Sequence, residues 1–161
     1  MRLLIAFIFY LPFSLLLAES TLLDIKVYRS PTCNCCHKWI NHLEENKFNV
    51  IDMLTNNMSE VKDAVNLPKP MASCHTGIIE GYIIEGHVPA ADIRRLLAER
   101  PDIAGLSVPQ MPVGTPGMEM GERKEPFIVF QFDKAGKYSV FNQYELDEHN
   151  NYHAHTDEEH H

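Results

Sequence analysis

The chain has 161 residues, 45% of them hydrophobic and 22% charged, which suffices for one packed domain and little more. Its formal net charge of −8 argues against a nucleic-acid-binding face, which needs a surplus of Lys and Arg. The acidic balance is compatible with taking up cations but carries no function by itself.

The first element in chain order is a targeting segment. Arg2 precedes an apolar run from Leu3 to Leu17, broken only by Pro12 and Ser14, and Ala18-Glu19-Ser20 follows. A short basic end, an apolar centre and small residues two apart are the layout of a secretory signal over residues 1–20. A membrane anchor is the alternative, but a bilayer span needs roughly 20 apolar residues. Cleavage after Ala18 or Ser20 then leaves a mature chain outside the cytoplasm, in a bacterial periplasm, with no stable membrane span.

Asp24 to Tyr28 alternates polar and apolar residues and reads as a strand. Pro31 disfavours helix at Ser30, and Thr32 is a suitable cap for a helix from Cys33 to Glu45. Cys36, Trp39, Ile40 and Leu43 fall on one face of that helix. Phe48 to Met53 is a second strand, and Met58 to Val65 a short helix. After the break at Leu67-Pro68-Lys69-Pro70, the segment Gly77 to Gly86 reads as one or two strands with a turn or bulge at Gly81. Pro89 opens a helix that runs to Arg100, with Ile93, Leu96 and Leu97 inward. The prolines and glycines between Gly105 and Gly121 predict a loop. Phe127–Phe132 and Lys137–Tyr144, joined through Asp133-Lys134-Ala135-Gly136, predict a hairpin.

This alternation predicts an α/β domain over residues 21–144, a thioredoxin-like mixed sheet flanked by helices with a C-terminal β-hairpin. Residues 145–161 carry five histidines (His149, His153, His155, His160 and His161) among acidic residues and asparagines. Almost nothing there is apolar, so a disordered tail is expected. Metal capture and plain solvation are equally consistent with its composition.

The chemistry concentrates where the first strand meets the first helix. Cys33, Cys35 and Cys36 form C-x-C-C, which contains a C-x-x-C pair. At a helix N-terminus the unpaired N–H groups favour thiolate over thiol. Such sulfurs can exchange disulfides or bind a soft metal such as Cu(I), or zinc. A third adjacent thiol hinders clean exchange and adds a ligand. In a thioredoxin-like fold Cys74 and His75 would face the cluster from the loop before the third strand. Two plain disulfides, Cys33–Cys36 and Cys35–Cys74, remain a further option in an oxidising compartment. Met118 and Met120, in the Pro/Gly loop with Met111, are soft thioether donors or flexible packing. His37 and His75 are singled out because each adjoins a cysteine. His42 and His87 read as exposed residues.

Tyr28 to Trp39, Ser73-Cys74-His75-Thr76, the Gly86-His87-Val88-Pro89-Ala90 segment with Asp92-Ile93, and Pro112 to Glu119 occur in an order that resembles the CopG-type copper-resistance family. That family was long labelled a domain of unknown function. The likeness runs from Ile25 to Tyr144. It implies a thioredoxin-like fold, copper bound by Cys33, Cys35, Cys36 and Cys74, and a periplasmic role in copper handling among other copper-handling proteins. It places His75 and Met118 beside those ligands and is compatible with Cu(I)/Cu(II) cycling, a copper oxidoreductase included. It says nothing about the His-rich tail. A thioredoxin-like thiol–disulfide oxidoreductase is the alternative function.

Overall fold

The computed structural model describes residues 22–155. The expected signal segment, residues 1–20, lies outside the described residues, as do residues 156–161 of the tail. Among the described residues no helix is long and apolar enough to cross a membrane.

The architecture of the described residues is mixed α/β: one eight-stranded sheet and three α-helices. Strand β1 (Leu23–Arg29) hands over to helix α1 (Asn34–Glu45), and β2 (Phe48–Leu54) returns parallel to β1 along its full length. Helix α2 (Met58–Ala64) follows, started by Asn57, whose side chain accepts from the Glu60 N–H. A 3₁₀ turn at Lys69–Met71 satisfies the two prolines. Then β3 (Thr76–Ile79) pairs antiparallel with both β1 and β4 (Tyr82–Gly86). The ambiguous Gly77–Gly86 segment is thus two strands. Glu80 (φ 46°) and Gly81 (φ 88°) close a two-residue turn, since positive φ at both positions matches the strand twist.

Helix α3 (Ala90–Glu99) crosses over to β5 (Gly105–Val108), which lies parallel to β4. Here the structure corrects the sequence reading, which made this segment the start of a loop. Every residue of β5 is buried, so no alternation marks it, and four residues are too few for a periodic signal. Gly105 is the reason it fits: a Cβ there would lie 2.0 Å from the Ile83 carbonyl oxygen. A residue that looks like loop punctuation is a close-approach glycine in mid-sheet.

The hairpin of β6 (Phe127–Phe132) and β7 (Tyr138–Leu146) matches the expectation. Asp133 shapes its turn by accepting from the Ala135 and Lys137 N–H groups at 2.8 and 2.9 Å. The tail departs from it. Instead of structureless chain from Glu145, β7 continues to Leu146, and β8 (Tyr152–His155) adds an eighth strand. Tyr152 supplies the anchor that composition hid. Its ring sits edge-on to Phe127 at 5.3 Å, and its hydroxyl donates to the Glu125 carbonyl at 3.0 Å. The complete order is β2-β1-β3-β4-β5-β6-β7-β8.

The main core lies between the sheet and the inward faces of α1 and α3, through Trp39, Leu43, Ile93 and Leu96 against Ile25 and Ile84. A titratable side chain packs beside it. Asp92 on α3 is buried and accepts from the Asn142 amide and the Tyr144 hydroxyl, both at 2.7 Å, which ties α3 to β7. Burial pushes its carboxyl above the ordinary value, against the pull of those two donors. The folded protein therefore binds a proton at Asp92 more tightly than the unfolded chain does. Its stability contribution is full below the unfolded value of about 4 and falls as pH rises through the raised folded value. Unfolding free energies of wild type and Asp92→Asn measured from pH 3 to 8 should show this. The wild type should lose stability relative to the variant as pH rises, then run level with it once native Asp92 is ionised. A pH-independent difference would mean that Asp92 titrates alike in both states.

Candidate metal and thiol site

The β1–α1 junction sets the position of the first three sulfurs. The Cys33 N–H donates to the Ser30 carbonyl at 3.1 Å, closing the turn through Pro31, and Cys33 itself is the N-cap of α1. Cys36 then lands on the buried face with Trp39, Ile40 and Leu43, as the helical spacing predicts. Cys33 and Cys35 stay half-buried at the rim.

Cys74 arrives from the segment before β3, also half-buried. The four sulfurs converge: Cys33, Cys35, Cys36 and Cys74 place their Sγ atoms within 4.8 Å of one another. Cys33 and Cys36 are joined as a disulfide, and Cys35 and Cys74 are free thiols, with Cys35 Sγ 3.4 Å from Cys33 Sγ. The expectation of ionised sulfurs needs correcting in this state. Cys33 and Cys36 have no proton to lose. Burial, together with the neighbouring Cys35, pushes the Cys74 thiol up to about 12. Desolvation of the half-buried Cys74 is the larger cause, and the adjoining Cys35 sulfur adds to it.

A second group shares Cys74. Cys74, His75 and His87 also bring their ligand atoms within 4.8 Å of one another. His75 is fully buried, with its ring 4.4 Å from that of Trp39 and 5.0 Å from that of His87. Its Nδ1 lies 3.2 Å from Cys74 Sγ, and its Nε2 has no hydrogen-bond partner. His87, read from sequence as exposed, is fully buried. Its Nδ1 lies 2.7 Å from the Pro116 carbonyl, which can only accept. Nδ1 therefore carries the proton, and the Nε2 lone pair faces Cys74 Sγ at 3.5 Å. Burial lowers both imidazoles below their ordinary value, His75 far below it, so both are neutral donors near pH 7. The motif Gly86-His87-Val88-Pro89 held the only signal for His87.

The other predicted residues divide. His37 is exposed and belongs to neither group. Met120 is 62% exposed and joins a short bridge with Arg123. Met118 is half-buried, in a loop knotted by its own N–H to the Thr115 carbonyl at 2.7 Å and the Gly114 N–H to its carbonyl at 2.9 Å. His42 serves structure: its Nε2 accepts from the Ala90 N–H at 3.1 Å, at the start of α3.

Two supports for the site escape sequence reasoning. Glu85 is fully buried, and it holds both ends of the segment bearing Cys74 and His75. Its Oε1 accepts from the Ser73 N–H at 2.6 Å, its Oε2 accepts from the Thr76 hydroxyl at 2.7 Å, and Lys62 neutralises it. Gly117, with φ 85°, brings the Pro/Gly loop down onto α1: a Cβ there would lie 2.6 Å from the Trp39 nitrogen and 3.0 Å from the Cys35 carbonyl oxygen.

The site is thus a packed thiol and imidazole cluster where a strand–helix turn, a strand entry and a Pro/Gly loop meet in a mixed α/β domain. Residues 71–118, which hold Cys74, His75, His87 and Met118, match a family model described as a protein of unknown function, DUF411. No curated protein matches the chain. Two solved structures of a copper resistance protein CopG are similar. Form 2 is 48% identical, covering 78% of this chain and 100% of that one, with a TM-score of 0.74. Form 1 is 49% identical, covering 77% and 98%, with a TM-score of 0.73. The chain belongs to the CopG family of copper resistance proteins.

The close approach at Gly117 generates a prediction. Gly117→Ala meets backbone on α1 and takes a positive φ, so it should cost about 1–3 kcal/mol of stability in denaturant unfolding. It should also move Pro116 off His87, seen as a shifted His87 ring resonance by NMR. An unchanged stability would show that the loop gives way without strain.

Proposed function

We propose that this is an exported copper-binding protein that holds the metal on Cys33, Cys35, Cys36 and Cys74, with His75 and Met118 beside them, in copper handling and resistance. The observation that carries the reading is the convergence of four sulfurs from two separate segments within 4.8 Å. The donor set fits copper. Thiolate and thioether suit Cu(I), and neutral imidazole suits Cu(II) as well. The Nδ1 of buried His75, 3.2 Å from Cys74 Sγ, is a further donor beside the sulfurs. Zinc, which also accepts Cys and His, is the competing ion. His37 and Met120 are exposed, and this reading does not require them.

Redox state sets the number of ligands. Two electrons and two protons convert the Cys33–Cys36 disulfide into two thiols, which doubles the free cysteines of the cluster from two to four. Copper, when bound, would supply one-electron redox chemistry. The chain's contribution is a mixed sulfur and imidazole set that can serve both oxidation states, and this is the basis for reading it as a copper-cycling site. The exported location rests on the N-terminal sequence pattern. The strand order β2-β1-β3-β4, with β1 and β2 parallel and the other pairs antiparallel, supports the thioredoxin-like description of the first half.

The test is a titration of the reduced protein with Cu(I) against a competing chelator. Trp39, the single tryptophan, packs against His75 with the rings tilted, so its emission should change as metal enters. The variant with all four cysteines replaced by serine should lose tight binding and the emission change together. Equal affinity of variant and wild type would reject the reading.

The Cys33–Cys36 disulfide at the start of α1 favours a second reading, a thiol–disulfide oxidoreductase. It predicts insulin reduction that Cys33→Ser abolishes and Cys35→Ser spares. No turnover by the wild-type protein would remove it.

A further inference from the structure

The β7–β8 edge bears a second set of metal donors, remote in chemistry from the thiols. Glu145 lies opposite His153 and Gln143 opposite His155 in the antiparallel register. Side chains alternate along a strand and directly opposed residues share a face. His153, His155, Gln143 and Glu145 therefore stand on one face. His153 and His155 are two residues apart, about 6–7 Å along the strand, a span that two imidazoles pointing the same way can close around one ion.

Carboxylates flank both rings as two separate pairs, and an ion drawing on all four donors gathers them by rotation of the exposed His153 and His155 rings. His153 Nε2 lies 3.2 Å from Asp147 Oδ2, and His155 Nε2 lies 3.9 Å from Glu145 Oε2. Asp147 is held in place: its Oδ1 accepts from the His149 and Asn151 N–H groups at 2.9 and 2.7 Å, which leaves Oδ2 turned toward His153. The strand itself is anchored. Tyr152 bonds to Glu125, and the Lys124 ammonium donates to the Asn150 carbonyl at 2.8 Å. The two histidines thus project from a fixed edge strand and not from loose chain. Both are more than half exposed, with open access for an ion. From Glu145 to the C-terminus the sequence holds six acidic residues and no Lys or Arg to repel a cation.

Exposed His–carboxylate pairs contribute little to stability, so fold maintenance accounts for the turn-capping Asp147 but not for the two histidines on the strand. We propose that His153 and His155, with Glu145 and Asp147, form a second metal site for a borderline divalent cation of the copper, nickel and zinc group. Two imidazoles and two carboxylates are nitrogen and oxygen donors, which select divalent ions over Cu(I), and Cu(II) binds such sets most tightly in that series. The site takes Cu(II) from solution independently of the cysteines.

The test uses the full chain carrying Cys35→Ser and Cys74→Ser, which keeps the Cys33–Cys36 disulfide and removes the free thiols that would reduce Cu(II). Cu(II) is titrated against a competing chelator, and the bound ion is observed by electron paramagnetic resonance. The parent should bind with a nitrogen-coupled signal. Adding His153→Asn with His155→Asn should weaken binding at least about tenfold and remove that coupling, and Glu145→Gln should weaken it less. Changing His149, His160 and His161 to Asn should leave affinity and spectrum unchanged. Circular dichroism of each variant checks the fold. The proposal is overturned if the His153/His155 variant binds like the parent, or if the His149/His160/His161 variant alone loses the ion. A Cu(I) titration of the His153/His155 variant with its cysteines intact should match wild type, which separates this site from the thiol cluster.

Discussion

The site depends on where Trp39 is held. It is fully buried, and its indole N–H donates to the Val88 carbonyl at 2.9 Å, which locks α1 against the segment leading into α3. One face of its ring packs on His75 at 4.4 Å. Its backbone is where Gly117 makes its closest approach. A single side chain and its main chain thus index three segments against one another. These are the helix bearing three cysteines, the strand entry bearing Cys74 and His75, and the loop whose Pro116 carbonyl orients His87. A large buried aromatic with a polar edge suits this task, since the ring supplies area and the N–H supplies direction.

Around that anchor the protein carries a local polar cost. Glu85 is buried to hold Ser73 and Thr76, and Lys62 offsets its charge. His75 is buried with one nitrogen left without a partner. A fold concerned only with stability would replace such groups by apolar ones. Their presence holds Cys74 and the His75 Nδ1 in place beside the other three sulfurs.

The cluster joins two chemistries that sequence had set as rivals. The same Cys33 and Cys36 that suit metal binding form a disulfide here, with two free thiols alongside. Disulfide and metal-ligand states of one site exclude each other, so the redox state of Cys33 and Cys36 governs how many sulfurs are open to an ion. The β8 histidines stand outside that dependence, because imidazole and carboxylate neither form nor lose a disulfide.

The pattern of apolar and turn residues along the chain was enough to locate β1, α1, β2, α2, α3 and the β6–β7 hairpin, most plainly in α1 and α3, which each have one buried face. C-x-C-C and its place at a strand–helix junction were likewise local, and so was the link from Cys74 to His75. What escaped were features whose cause lies elsewhere in the chain. β5 is buried on both faces, and Gly105 is explained only by the Ile83 carbonyl opposite it. β8 reads as tail until Tyr152 finds Phe127 and Glu125. His42 and His87 read alike in sequence, yet one accepts from the Ala90 N–H and the other faces Cys74. Sequence determined which donors the protein owns and which lie close along the chain. Tertiary structure alone decided which donors meet, since that follows from contacts between residues dozens of positions apart, and only packing brings those together.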